Sequence, residues 1–221
     1  MMNDKKYLLI SPHFDDIFLS VFSLLYSKPE EIMLVNVFTS IDYTQKLSRD
    51  QINCLAEDLR ISREIVSSDS LKKWIKYREQ ENHIACKKVG VEYINLGFAD
   101  SLFRLTKNDE ELKIDILEKI KEFNFETIIF PMGIGKHKDH LILHEISKDL
   151  FFRGRVLYYF DSPYFGKSEL DFKKSKRLND EIYSKKIEIL NEFKTQVNWL
   201  KKETDIDRIL RFERISDEKR D

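Results

Sequence analysis

Two cysteines, Cys54 and Cys86, are all that the 221 residues contain. A disulfide-stapled fold needs more, and neither stands in a C-x-x-C pair, so both are read as ordinary thiols of a reducing compartment. An excess of one charge is also missing: 38 basic residues meet 39 acidic ones, a net charge of -1. That excludes the basic footprint of a nucleic-acid binder, and the interspersed signs describe a solvated surface. The first apolar run, in "MMNDKKYLLISPHF", meets charge again at Asp15. It is too short for a secretory core or a membrane span, and a cytoplasmic location is expected. Repeats, low-complexity segments and linkers are absent. So are the G-x-G-x-x-G and G-x-x-x-x-G-K cradles of nucleotide-binding α/β domains. The 42% apolar share is enough for one substantial core, and one domain over residues 1–221 is expected.

What is present is an alternation of two periods. "KYLLIS" (6–11), "EIMLVNVFTS" (31–40), "VEYINLG" (91–97), "ETIIFP" (126–131) and "RVLYYF" (155–160) are compact apolar runs that predict strands. Between them, helical spacing predicts helices over 17–27, 71–89, 109–122, 140–152 and 179–193, with weaker periodicity over 50–66. Gly90 is the expected stop of the second helix. Strands alternating with helices predict an α/β, single-domain, Rossmann-like fold, a mostly parallel sheet with helices on both faces. The tail "SDEKRD" is expected to be mobile.

Two of the strands end in clusters of polar groups. "SPHFDD" follows the first and brings His13, Asp15 and Asp16; "GKHKDH" follows the fourth and brings His137, Asp139 and His140. In open α/β sheets ligands bind beyond the carboxyl ends of the strands, where both clusters would lie. Helix capping explains one aspartate per helix. It does not explain His13, the second aspartate of the first loop, or the two histidines of the second. The set suits a catalytic zinc-type site, with three protein ligands from His and carboxylate and an open position. His13 and Asp16 can reach one ion, and a histidine of the second loop closes the set. A carboxylate left over can act as general base, and a free histidine can serve the oxyanion or leaving group.

Together, "SPHFDD" and "HKDH" resemble the markers of the PIG-L/LmbE family of metal-dependent de-N-acetylases. "YREQENHIACKKVGVEYINLGFAD" resembles that family's Arg-x-x-Glu helix, Gly-Val turn and Asp-bearing loop, and "SKKIEILNEFKTQ" its late Lys-rich helix. The likeness runs in order over about residues 6–197. Phe14 stands where the family usually has proline and Ile17 where it has glutamate; a branch with "SPHxDDxxxS" and "G-x-H-x-D-H" loops matches better. The resemblance implies that His13, Asp16 and His140 bind the metal, Asp15 is the base and His137 the oxyanion partner or acid. It places substrate contacts on Arg78 and Asp100, and on Arg104 through an Asp-x-x-x-Arg pattern.

It further implies hydrolysis of the acetamide of an N-acetylglucosamine-type amino sugar or conjugate, a small-molecule partner. Zn²⁺ is the default ion, with Fe²⁺ suited to two histidines and a carboxylate; a homo-oligomer is compatible with all of this. The rivals are a metal-dependent hydrolase of another acyl or amide bond and a non-catalytic sugar-conjugate binder. Without the resemblance, Arg78 and Glu81 are a surface ion pair worth about 0.2–0.5 kcal/mol, Arg104 an exposed loop residue, and His83 and His144 structural.

Overall fold

The computed structural model describes residues 5–43, 46–105, 108–150, 154–165, 172–196 and 205–217. Five apolar runs become parallel strands: β1 (Tyr7–Ser11), β2 (Ile32–Ser40), β3 (Glu92–Ala99), β4 (Thr127–Pro131) and β5 (Arg155–Tyr159). Their order in the sheet is β3-β2-β1-β4-β5. The chain runs outward from β1 through β2 to β3, then crosses back to the other side of β1 for β4 and β5. The reversal leaves a crevice between the carboxyl ends of β1 and β4, the ligand position of an open α/β sheet. The expected fold class is the observed one.

Alternation along the strands sorts side chains to two faces. Leu9, Leu34, Ile129 and Tyr159 pack with one set of helices: α1 (Asp16–Ser20), α2 (Phe22–Ser27), α4 (Ser68–Val89) and α7 (Asp180–Leu190). Leu8, Ile10, Val35, Phe130 and Tyr158 meet α5 (Asp109–Lys121) and α6 (Lys138–Asp149) on the other face. A satellite cluster of Ile41, Leu55, Leu71, Trp74 and Phe103 joins α3 (Arg49–Leu59) to the start of α4.

Three expectations need correction. The single helix over 17–27 is broken at Val21, whose φ of -140° and ψ of 35° are non-helical. There its carbonyl accepts from the amides of Leu24 and Leu25, turning the chain into α2. The third strand runs on to Ala99, past Gly97 at φ +80°, whose amide donates to Thr39 Oγ1. That extension brings Asp100 to the rim. Finally, short elements flank α7 that the sequence did not lead one to expect: β6 (Lys176–Arg177) before it, and after it α8 (Ile206–Leu210), β7 (Phe212–Glu213) antiparallel to β6, and β8 (Ile215–Ser216) antiparallel to β5. Strands of two residues carry no periodic signal. Residues 151–152 of the helix expected over 140–152 and 218–221 of the expected tail lie outside the described residues.

Candidate active site

Each cluster is placed by a strand that ends abruptly. β1 stops at Ser11, whose hydroxyl donates to the His13 carbonyl (2.5 Å) and tightens the turn into α1. The His13 amide donates to Asp16 Oδ2 (2.7 Å), and the same oxygen lies 3.1 Å from His13 Nδ1. Asp15 occupies the N-cap position of α1, yet its carboxylate makes no capping bond. It accepts from Arg78 Nη2 at 3.3 Å instead. β4 stops at Pro131, and the loop with Gly133 and Gly135 leads into α6, which carries His140 one turn in. His140 Nε2 stands 3.4 Å from Asp16 Oδ1, so the carboxylate faces one histidine from each loop.

The capping explanation of Asp139 fails as well. Its carboxylate is fully buried and accepts from the Ser101 amide (2.9 Å) and Arg104 Nη1 (3.0 Å), with His13 Nε2 at 3.1 Å. His140 Nδ1 lies 2.7 Å from Oδ1 of Asp161, a residue just past β5 that sequence reasoning missed. The signal available for it was a third strand end carrying a carboxylate, hidden inside the aromatic run "VLYYFDSPYF". Both histidines therefore present one ring nitrogen to Asp16 and the other to a second carboxylate. That is the arrangement by which outer carboxylates fix the tautomer and orientation of metal-binding histidines.

The donor groups could hold a metal ion. One ring nitrogen from each of His13, His137 and His140 lies within 4.8 Å of the others. Asp16 approaches two of these rings with different oxygens, Oδ2 at 3.1 Å from His13 Nδ1 and Oδ1 at 3.4 Å from His140 Nε2. His137 Nδ1 is buried with no hydrogen-bond partner.

Charges in this cluster are strongly interdependent. Burial opposes ionisation of His13, but Asp139, Asp16 and Asp100 overcome it and raise its pKa well above the usual value. Burial opposes the charge on His140 too, and Asp16 and Asp161 push its pKa up to about 10. His137 goes the other way: burial and then the charges on His13 and His140 lower it to about 4. Asp15 is raised by burial and by Asp16, with Arg78 opposing. Histidines that would be protonated here must give up protons to bind an ion.

A cavity of about 370 Å³ opens over the cluster, and His13, Asp15, Asp16, Arg78, Asp100, His137 and His140 all line it. Arg78 is no surface residue: it is 7% exposed, with its guanidinium over the Trp74 ring at 4.7 Å. Glu81 pairs instead with Thr195, accepting from its amide (2.9 Å) and hydroxyl (2.6 Å). Arg104, expected on the substrate, does not line the cavity. It lies behind the site, partly buried, donating to Asp139 and to the Ala99 carbonyl (2.9 Å). Ile17, where the family usually has glutamate, is fully buried in the apolar core. His83 is exposed, with Nδ1 3.2 Å from the Tyr93 hydroxyl, and His144 lies buried against the Tyr158 ring.

These features define a Rossmann-like α/β protein whose histidines and carboxylates converge at the switch point of the sheet. The pattern of the PIG-L family, GlcNAc-PI de-N-acetylase, matches residues 8–151, and the chain belongs to that family. Among curated relatives, 2'-N-acetylparomamine deacetylase of Streptomyces fradiae is 28% identical over 182 residues, 74% of this chain. The chain spans only 59% of that relative's length. The protein of the same name from Niallia circulans is 28% identical over 233 residues, covering 89% of this chain and 83% of its own. Solved structures share the fold. The zinc-inhibited form of teicoplanin deacetylase Orf2 has a TM-score of 0.69 at 17% identity, covering 93% of this chain and 90% of that one. The A40926 pseudoaglycone deacetylase Dbv21 has 0.67 at 20% identity, covering 91% and 86%.

Proposed function

We propose that this chain is a metal-dependent de-N-acetylase that hydrolyses the acetamide of an N-acetylated amino sugar carried on a small-molecule conjugate. The observation that carries this reading is the meeting of the two loops at Asp16, whose carboxylate faces His13 Nδ1 and His140 Nε2 in a cavity that Asp15 and His137 also line. The names of the relatives support it, since both curated relatives and the structural neighbours above are named deacetylases. The described helices include none long and apolar enough to cross a membrane.

In this reading His13, Asp16 and His140 hold the ion. A divalent ion there supplies Lewis acidity toward an amide carbonyl and lowers the pKa of water; zinc is the first choice and iron(II) the second. Asp15 takes the proton of the attacking water, whose oxygen bonds to the acetyl carbon. His137 steadies the developing oxyanion or delivers a proton to the departing nitrogen. The C–N bond breaks, leaving acetate and the free amine. Arg78 and Asp100, on the adjoining wall, offer a donor and an acceptor to sugar hydroxyls.

A second ligand set has its own observation: the three histidines within 4.8 Å of one another would make His137 a ligand rather than an acid. One experiment tests both. Elemental analysis of purified wild type should find about one transition-metal ion per chain, and acetate should be released from N-acetylglucosaminide conjugates or 2'-N-acetylparomamine. His137→Ala should keep the ion; loss of it would favour the three-histidine set. Wild type that binds such sugars but never releases acetate, with any of several metals supplied, would make the chain a binding protein.

A further inference from the structure

The carboxylate just beyond β5 is used by none of the steps above, yet it is among the most tightly held groups in the molecule. Asp161 is 0% exposed. Its Oδ2 accepts from the backbone amide of Ile134 (2.9 Å), and its Oδ1 lies 2.7 Å from His140 Nδ1. One side chain therefore ties the histidine of α6 to the loop that precedes that helix. A main-chain amide only donates, so Asp161 must accept on that side. An ionised carboxylate accepts on the other side too, which puts the proton of His140 on Nδ1. Once the ring gives up its Nε2 proton to bind an ion, the Nε2 lone pair is left on the side of Asp16 Oδ1, 3.4 Å away.

We propose that Asp161 is a positioning residue of the metal centre, fixing the Nδ1–H tautomer of His140 and holding its Nε2 toward the ion. The inference rests on the reading of His13, Asp16 and His140 as ligands. Two neighbours strengthen the geometry. Tyr164, three residues on, sets its ring edge against His140 at 5.8 Å and 88°. The Ser162 amide donates to Ser20 Oγ (3.1 Å) on α1, the helix that begins with Asp16. The short β5 loop thus braces both proposed ligands, Asp16 through α1 and His140 directly.

Asp161→Asn is the discriminating variant, because it preserves size but not acceptor count. Asparagine has one acceptor oxygen and must meet two donors. If the oxygen takes the Ile134 amide, the side-chain NH₂ faces His140 and forces the proton to Nε2, which then cannot ligate. If it takes His140, two donors collide at Ile134. Zinc affinity measured by chelator competition should fall about 10–100-fold, the usual effect of losing an outer carboxylate. In zinc-loaded wild type, ¹⁵N NMR should show His140 protonated at Nδ1 and metal-bound at Nε2. A purely structural carboxylate would lower the melting temperature of the zinc-free protein and leave affinity and tautomer alone.

The proposal is overturned if Asp161→Asn binds zinc as tightly as wild type, or if wild-type His140 carries its proton on Nε2. Should the variant fail to fold, the wild-type spectrum decides alone. Wild type that binds no zinc at all overturns the ligand reading and this inference with it; zinc bound tightly by both proteins overturns the inference only.

Discussion

Adjacent carboxylates separated by one peptide bond have opposite surroundings here. Asp16 turns inward between His13 and His140, while Asp15 turns toward Arg78 and the open cavity. Neighbouring positions at the start of a helix diverge by about 100°, so one can hold an ion while the next faces what the ion activates. Asp15→Asn should therefore keep the metal and lower acetate release by about 10²–10⁴-fold, the usual share of general base catalysis. Elemental analysis beside a turnover assay checks it; metal lost from Asp15→Asn but kept in Asp16→Asn would exchange the two roles. For His137→Ala the expected drop in turnover is about 10²–10³-fold. Substrate affinity should change much less, because the interaction strengthens only as charge develops.

At the scale of elements, the site is an affair of loops braced from behind. The buried stripe of α4 runs through Leu71, Trp74, Arg78, Glu81, Asn82, Ala85 and Val89. Its two charged members are inside because each has a partner there: Arg78 has Asp15, and Glu81 has Thr195. The loop between β4 and α6 depends on a glycine. Gly135 has φ +92°, and a Cβ there would stand 2.9 Å from Tyr164 Cγ, a ring position that cannot swing away like a chain end. Gly135→Ala should cost about 1–3 kcal/mol, the range for a residue forced into a sparse backbone region. Urea unfolding measures this, and an unchanged midpoint would show that the loop can relax around the methyl group.

Across the whole molecule, one buried ion pair joins the end of the chain to its beginning. Lys186 on α7 is fully buried and donates to Glu213 Oε1 (2.9 Å), while Glu213 Oε2 accepts from the Ser23 amide of α2 (3.0 Å). Removing one partner of such a pair leaves an uncompensated buried charge, typically at a cost of about 3–5 kcal/mol. Lys186→Met should lower stability by that amount in thermal or urea unfolding. Adding Glu213→Gln should restore much of it, because the glutamine is neutral and its oxygen can still accept from Ser23. A double variant no more stable than Lys186→Met would mean that packing, not charge, sets the cost.

The sequence by itself determined the fold class and most residues of the candidate site, because both rest on local signals. Strand and helix periods follow from burial on alternate or every third-to-fourth residue, and His13, Asp15, Asp16, His137 and His140 sit in two short loops whose place on the rim follows from strand–helix alternation. What only the tertiary structure decided depends on pairs far apart in the chain. Arg104 is four residues from Asp100, which lines the cavity, yet its guanidinium turns to Asp139 behind the site. Asp161 looks like any turn aspartate until His140, 21 positions earlier, is packed against it. The two-residue strands β6, β7 and β8 have no period to read and exist only because a partner strand is there to accept them. Spacing along a chain reveals which groups share an element, whereas the direction of a side chain and its hydrogen-bond partner are fixed only when separate elements close upon one another.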